Sequence, residues 1–86
     1  MDLSKISVTV KLFASVKDIA RVSEATLELP AASVAGDVVS HFASQFPAME
    51  GLRSYVRVAV NECYVDVSHP LHNGDDVALI PPVSGG

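Results

Sequence analysis

Apolar and polar residues alternate in several short stretches of the chain, and a spacing of two predicts β-strands with one buried face. In the first stretch, residues 6–13, Ile6, Val8, Val10 and Leu12 form the apolar face. Further strands are predicted at 24–29, 55–60, 63–67 and 76–80. Turn residues separate the later strands, namely Asn61-Glu62 and the stronger turn signal Asn73-Gly74-Asp75.

Between the second and third strands the apolar spacing changes from two to four, which predicts one stripe of a helix. The stripe consists of Val34, Val38, Phe42 and Phe46. Ser33 is the candidate N-cap, and Pro47 is expected to end the helix at Phe46. The mixed polarity of residues 14–23 predicts a long connection.

The order strand, strand, helix, strand, short strand, strand predicts a two-layer α+β domain, because one helix must cover one face of one sheet. The order suits a β-grasp arrangement: a mixed sheet of about five strands, one main helix on one face, and the first and last strands side by side. We assign residues 1–81 to this domain and residues 82–86 to a flexible tail. Neither Pro81 nor Pro82 can donate to a strand ladder, so the chain should leave the sheet there.

The tail begins with two prolines, which restrict the backbone, and ends with two glycines, which have no side chains. Residues 81–86 span about 20 Å when extended. Val83 and Ser84 are small, and Gly85 and Gly86 have no side chains, so the end could thread a narrow channel in another protein. An inert, frayed end is the alternative, since glycine is common at chain ends.

Strand parity places apolar residues on the sheet face that points away from the helix. A sheet covered on one side normally carries polar residues on the other, so these residues predict a partner-binding patch. The patch comprises Phe13, Ala59, Ala78 and Ile80, with Lys11 and Arg57 as a basic rim. The alternative is chance exposure of single apolar side chains.

Length and charge narrow the class of protein. The 86 residues suffice for one domain, and the net charge of −4 without a basic run predicts no nucleic-acid partner. No apolar run approaches the roughly 18–20 residues that span a membrane, and the start of the chain lacks a signal-peptide pattern. We therefore expect a cytoplasmic location. With Cys63 as the single cysteine, no internal disulfide is possible.

The chain offers little chemistry of its own. Cys63, His69 and His72 do not match a known zinc spacing, so no metal site is predicted. Cys63 could carry a persulfide, but nothing around it in the sequence indicates a lowered thiol pKa, and a plain strand residue is favoured. No Ser-His-Asp or paired-carboxylate arrangement and no Gly-rich phosphate loop is apparent. The chain is therefore interpreted as a substrate or donor, not as an enzyme by itself.

Several motifs together resemble one family, the small subunit of molybdopterin synthase. They are Leu12-Phe13-Ala14-Ser15-Val16-Lys17, Val60-Asn61, His69-Pro70-Leu71, Asn73-Gly74-Asp75, Val77-Ala78 and the terminal Pro81-Pro82-Val83-Ser84-Gly85-Gly86. The resemblance covers nearly the whole chain. Family members can carry an aromatic residue where this chain has Ile80.

The resemblance implies a β-grasp fold, as in ubiquitin, and a sulfur-carrying role. An activating enzyme would use ATP to adenylate the carboxylate of Gly86, and a sulfur donor would convert the acyl-adenylate to a thiocarboxylate. Pro82, Val83, Ser84 and Gly85 would thread into the large subunit, where sulfur passes to cyclic pyranopterin monophosphate to make molybdopterin. The complex would hold two small and two large subunits, with no permanently bound cofactor in the small one and the catalytic groups in the large one.

Two alternatives stay open. The first is a related carrier, either for thiamine or tRNA thiolation or as a protein modifier joined to lysines, since these share the Gly-Gly end and the adenylation step. The second is a plain interaction domain with an inert tail.

Overall fold

The structure, a computed structural model, describes residues 4–82. Five strands, two helices and a single 3₁₀ turn follow one another in this part of the chain. They are β1 (Lys5–Leu12), α1 (Ala14–Ala20), β2 (Glu24–Pro30), α2 (Ala35–Gln45), the 3₁₀ turn Pro47–Met49, β3 (Arg57–Val60), β4 (Cys63–Val65) and β5 (Asp76–Ile80). The predicted α+β class is confirmed.

The five strands form one mixed sheet in the order β2-β1-β5-β3-β4. Strands β1 and β5 are parallel neighbours, and every other pair is antiparallel. The prediction that the first and last strands lie side by side is therefore confirmed. Because their parallel register aligns Val10 with Val77 and Leu12 with Leu79, the apolar residues of both strands share one face.

Helix α2 covers that apolar face, as its spacing predicts. Val38, Val39 and Phe42 are buried against the sheet, and the rings of Phe42 and Phe46 stack with centroids 6.4 Å apart. The helix ends where Phe46 takes an extended conformation before Pro47. The largest side chains with almost no exposure come from both layers and from the segments beside them: Val8, Val10, Leu12, Val16, Val38, Met49, Val77 and Leu79.

Helix α1 differs from the expected connection. The segment forms a seven-residue helix with Val16 and Ala20 buried, and Arg21 ends it in a left-handed conformation (φ 63°). Its apolar positions do have helical spacing, but two buried side chains in seven residues give a weak signal. Strand β1 consequently ends at Leu12, and Phe13 starts the helix by accepting hydrogen bonds from the amides of Val16 and Lys17.

The N-terminus of α2 is capped by a different residue from the one predicted. The carboxylate of Asp37 accepts from the Val34 amide at 2.8 Å, and the Asp37 amide donates to the Val34 carbonyl at 2.9 Å. Ser33 lies one residue earlier and is buried, and its carbonyl accepts from the amide of Leu71. A short backbone bridge between Val34 and Pro70 holds this part of the chain against the segment after β4.

Strands β3 and β4 are shorter than predicted, because neighbouring backbone groups are used elsewhere. The amides of Tyr55 and Val56 both donate to the Leu52 carbonyl in a turn, so β3 starts only at Arg57. The carbonyl of Val67 accepts from Gly36 in α2, so β4 ends at Val65.

A hydrogen-bonded turn closes the end of the sheet opposite Pro82, as the sequence predicts. Gly74 has φ 89°, a conformation that suits glycine, and its amide donates to the Ser7 carbonyl. Asn73 accepts from the Ser7 amide through its side chain, and Asp75 accepts from the His72 amide. This turn therefore joins the start of β1 to the start of β5.

Candidate partner-binding face and the exit of the tail

The face of the sheet opposite α2, here called the outer face, carries one row of aligned residues across all five strands. Glu24 aligns with Lys11, Lys11 with Ala78, Ala78 with Ala59, and Ala59 with Tyr64. Aligned residues in a sheet point to the same side, so the strand parity predicted for Ala59 and Ala78 agrees with the register. The side chains of Glu24 and Tyr64 are exposed at the two ends of the row, and Lys11 is exposed beside Glu24.

Ala59 contributes less surface than expected, since it is only 7% exposed. Its small side chain lies between the aligned residues Ala78 and Tyr64. The apolar surface of the outer face therefore belongs mainly to its larger neighbours, among which Ile80 is partly exposed and Tyr64 is 58% exposed.

Arg57 and Ile80 form the next aligned pair toward the end of β5. The guanidinium of Arg57 lies over the ring of Tyr64, 4.4 Å from its centroid. Tyr64 is a residue of this face that strand parity does not identify. The sequence pattern places Tyr64 in the predicted strand 63–67, but its alignment with Ala59 follows from the pairing of β3 and β4.

Phe13 lies at the edge of the outer face, beside the point where the chain leaves the sheet. It is 46% exposed. The predicted strand 6–13 includes Phe13, but in the structure Phe13 lies between β1 and α1 as the N-cap residue of α1. Its side chain lines a groove of about 530 Å³ together with Leu52, Ile80, Pro81 and Pro82. Phe13 and Ile80 are therefore brought together with the start of the predicted tail.

The chain leaves the folded domain between the two prolines, since Pro81 is buried and Pro82 is exposed. The other predicted tail residues, Val83, Ser84, Gly85 and Gly86, lie outside the described residues. The division of the chain at residue 81 into domain and flexible tail stays a prediction.

The residues considered for metal or thiol chemistry are not gathered into one site. Across residues 4–82 no group of three or more His, Cys, Asp or Glu side chains is placed to hold a metal ion. Cys63 is exposed on the edge strand β4, aligned with Val60. His69 follows that strand, and its backbone carbonyl accepts from the amide of Ala35. Neither helix in this part of the chain is long and apolar enough to cross a membrane.

A mixed five-stranded sheet with parallel first and last strands, covered on one face by α2, defines a ubiquitin-like protein of the β-grasp class. Residues 10–86 match the ThiS family. The chain therefore belongs to the ThiS family, and the family indicated by its motifs is confirmed.

Relatives of known name agree with this assignment. The chain is 35% identical over 85 residues to the molybdopterin synthase sulfur carrier subunit of Arabidopsis thaliana, covering 99% of this chain and 88% of the relative. Among solved structures, a putative molybdopterin converting factor subunit 1 from Pyrococcus furiosus is 29% identical with a TM-score of 0.80, covering 91% of this chain and 99% of that one. SAMP1 from Haloferax volcanii is 27% identical, also with a TM-score of 0.80, covering 93% and 99%.

Proposed function

We propose that this chain is the sulfur carrier subunit of a molybdopterin synthase. The observation that carries the proposal is the extent of similarity: the ThiS match runs from the middle of β1 through Gly86, and the Arabidopsis sulfur carrier subunit matches over 99% of this chain. The similarity thus includes the terminal glycines as well as the folded domain.

Gly86 is the proposed reactive residue. A carboxylate is ionised at neutral pH and is a poor electrophile. An activating enzyme would therefore first transfer AMP from ATP to the Gly86 carboxylate, releasing pyrophosphate. Sulfide-level sulfur from the donor would then attack the acyl carbon and displace AMP with release of a proton, leaving a thiocarboxylate whose sulfur replaces one carboxylate oxygen. Transfer of that sulfur to cyclic pyranopterin monophosphate, with water supplying the oxygen, would return Gly86 to the carboxylate.

The large subunit of the synthase is the proposed partner in this last step, in a complex of two small and two large subunits. The structure supports a division of labour in which the outer face docks and the tail enters the partner's pocket. Ile80 is partly exposed on the outer face, and the chain continues from it directly through Pro81 to the exposed Pro82. A pocket closed by the partner would shield the thiocarboxylate from water.

Intact mass spectrometry tests the chemistry. The purified chain is incubated with ATP, an activating enzyme and a sulfur source, and the expected product is heavier by about 16 Da because sulfur replaces oxygen at the carboxylate. Fragmentation should localise the change to Gly86. Omission of ATP and deletion of Gly86 are the matched controls. An unchanged mass with an activating enzyme that modifies another carrier under the same conditions would contradict the proposal.

A second candidate function is attachment to other proteins as a modifier, which the similarity to SAMP1 favours, since small archaeal modifier protein 1 is the name of that class. The two functions share the adenylation of Gly86 and differ in the acceptor. Proteolysis followed by mass spectrometry distinguishes them, because a modifier leaves the chain's terminal glycines in isopeptide linkage to lysine. A carrier confined to sulfur transfer gives the thiocarboxylate without such linkages.

A further inference from the structure

Two cationic side chains flank Ala78 and Ile80, the apolar residues of β5 on the outer face. Lys11 aligns with Ala78 on one side, and Arg57 aligns with Ile80 on the other. Both side chains are exposed, and neither is within 4.0 Å of a carboxylate in the described part of the chain. Lys11 has the acidic residue Glu24 as its aligned neighbour on β2, whereas Arg57 is aligned with Ile80. Arg57 is therefore the cation available to a partner, although the chain as a whole carries a net charge of −4.

Two other cations, Lys5 in β1 and Arg53 in the loop before β3, each lie within 4.0 Å of a carboxylate. Lys5 contacts Glu28 at 3.9 Å, and Arg53 contacts Glu50 at 3.5 Å and donates to the hydroxyl of Ser40. Arg53 thus provides a comparison for Arg57: it has the same side chain, but its donors are used within the domain and it does not lie on the outer face.

The guanidinium of Arg57 lies over the ring of Tyr64. The guanidinium carbon lies 4.4 Å from the ring centroid, a separation typical of a cation–π contact. Within residues 4–82 the Arg57 side chain donates no hydrogen bond, so its N–H donors are not used by the domain. A contact of this kind lowers the entropy that a partner must remove when it binds.

A depression of about 510 Å³ lies beside this pair on the surface. Asp66, Ser68 and His69 line it together with Arg57 and Tyr64. The Asp66 carboxylate lies farther than 4.0 Å from the guanidinium, so the two groups do not form a close ion pair. An apolar partner surface placed over Arg57 would leave a desolvated, unpaired charge, which is unfavourable.

We infer that the partner surface that docks on the outer face presents a carboxylate side chain to Arg57, with apolar groups opposite Ile80 and Phe13. Tyr64 is the positioning residue, because it orients the guanidinium without using its donors. This inference rests on the proposed function, in which the partner is the large subunit of the synthase. Arginine suits the role because its fork of donors matches both oxygens of a carboxylate.

The test measures binding of the purified large subunit from the same organism to charge variants of this chain by isothermal titration calorimetry. Arg57→Glu should weaken binding at least about tenfold at low salt, as expected for loss of a close interfacial charge pair. Arg53→Glu changes the net charge equally but lies off the outer face, and it should alter the affinity by less than about threefold, as expected of charges outside an interface. Circular dichroism and urea unfolding check that both variants fold.

Two further variants separate charge from shape. Arg57→Leu should remove most of the dependence of affinity on salt, because the pair it deletes is the salt-sensitive one. Tyr64→Leu keeps an apolar side chain and Arg57, yet should weaken binding about threefold through loss of orientation. Replacement of acidic surface residues of the large subunit by lysine, one at a time, should restore the affinity of Arg57→Glu at one position.

The outcomes distinguish this inference from the proposed function. If the unaltered chain binds the large subunit, and Arg57→Glu and Arg57→Leu both bind it with the affinity of the unaltered chain, the carboxylate inference is wrong and the carrier function stands. If Arg57→Leu binds more tightly than the unaltered chain, the partner surface opposite Arg57 is apolar and the inference is also overturned. If the unaltered chain does not bind the large subunit, both are overturned.

Discussion

Gly36 in the first turn of α2 lies directly against Val67. A Cβ atom placed on Gly36 would be 3.1 Å from the Val67 Cβ and 3.2 Å from the Val67 carbonyl oxygen. The Gly36 amide donates to that same carbonyl at 2.8 Å, and the neighbouring Ala35 amide donates to His69. The contact therefore joins α2 to the segment after β4, and glycine is needed for the close approach of the two backbones and not for an unusual φ.

Substitution of Gly36 by alanine should destabilise the domain despite the better helix propensity of alanine. The propensity gain is about 1 kcal/mol in a helix interior and smaller at a first turn. The added methyl must displace a carbonyl that the hydrogen bond holds in place, and overpacking of this kind costs about 1–3 kcal/mol. We expect a net loss of about 1 kcal/mol in the free energy of unfolding, measured by urea denaturation.

Gly51→Ala is the matched control for this substitution. A Cβ atom on Gly51 would meet no atom within 4 Å, and among residues 4–82 the only glycine with positive φ is Gly74. The control should therefore stabilise the domain by about 0.4–1 kcal/mol through the entropy of the unfolded chain. If both variants changed stability in the same direction and by the same amount, the contact between Gly36 and Val67 would have no energetic importance.

Asp37 should contribute to stability as the cap of α2. Its carboxylate accepts from the otherwise unpaired amide of Val34 and lies at the positive end of the helix dipole. Asp37→Ala should lower the free energy of unfolding by about 1 kcal/mol. Ser33→Ala tests the N-cap expected from the sequence. In the described part of the chain the Ser33 hydroxyl makes no hydrogen bond to the first turn of α2. Helix content should therefore change less in Ser33→Ala than in Asp37→Ala.

The turn between β3 and β4 offers a substitution that should stabilise the protein. Val60 pairs with Cys63, and the two residues between them, Asn61 and Glu62, both have positive φ, 49° and 73°. This is the two-residue hairpin in which Asn-Gly is strongly preferred, and a left-handed conformation costs a residue with a Cβ atom about 1–2 kcal/mol. Glu62→Gly should therefore raise the free energy of unfolding by about 0.5 kcal/mol after the entropy cost of glycine.

Asn61→Gly is the comparison for that turn. Asn61 tolerates positive φ and also uses its side chain, which accepts from the Asp76 amide and donates to the Asp75 carboxylate, both at 3.0 Å. Its replacement should destabilise the domain by about 1 kcal/mol, since two hydrogen bonds are lost. Equal thermal midpoints for the two variants would contradict this assignment of roles.

Local patterns in the sequence predict most of the fold, and long-range contacts account for the differences. The alternation in β1 and β5 and the spacing of four in α2 follow from burial of one face, which is a property of consecutive residues. The role of Gly36 depends on Val67, and the position of Tyr64 opposite Ala59 depends on strand register. Such pairings are set by the folded chain, so a single sequence carries no direct signal for them.

The last two residues of β5 provide a test that separates stability from docking. Leu79 is fully buried in the core, whereas Ile80 faces the outer side next to Phe13 and Pro82. Leu79→Ala should lower the free energy of unfolding by about 2–5 kcal/mol, because it leaves a cavity in the core. Ile80→Ala should lower it by no more than about 1 kcal/mol, because the side chain is already partly in water.

The same two substitutions should rank in the opposite order for binding. At temperatures where both variants are folded, Ile80→Ala should weaken association with the large subunit about tenfold, as expected of an apolar anchor at the centre of an interface. Leu79→Ala should leave the affinity of the folded fraction within about twofold, since it touches no partner and binding energy resides in a few contact residues. Calorimetric titration below the unfolding transition measures both. An unchanged affinity for Ile80→Ala would mean that the outer face is not the docking surface, whatever the chemistry at Gly86.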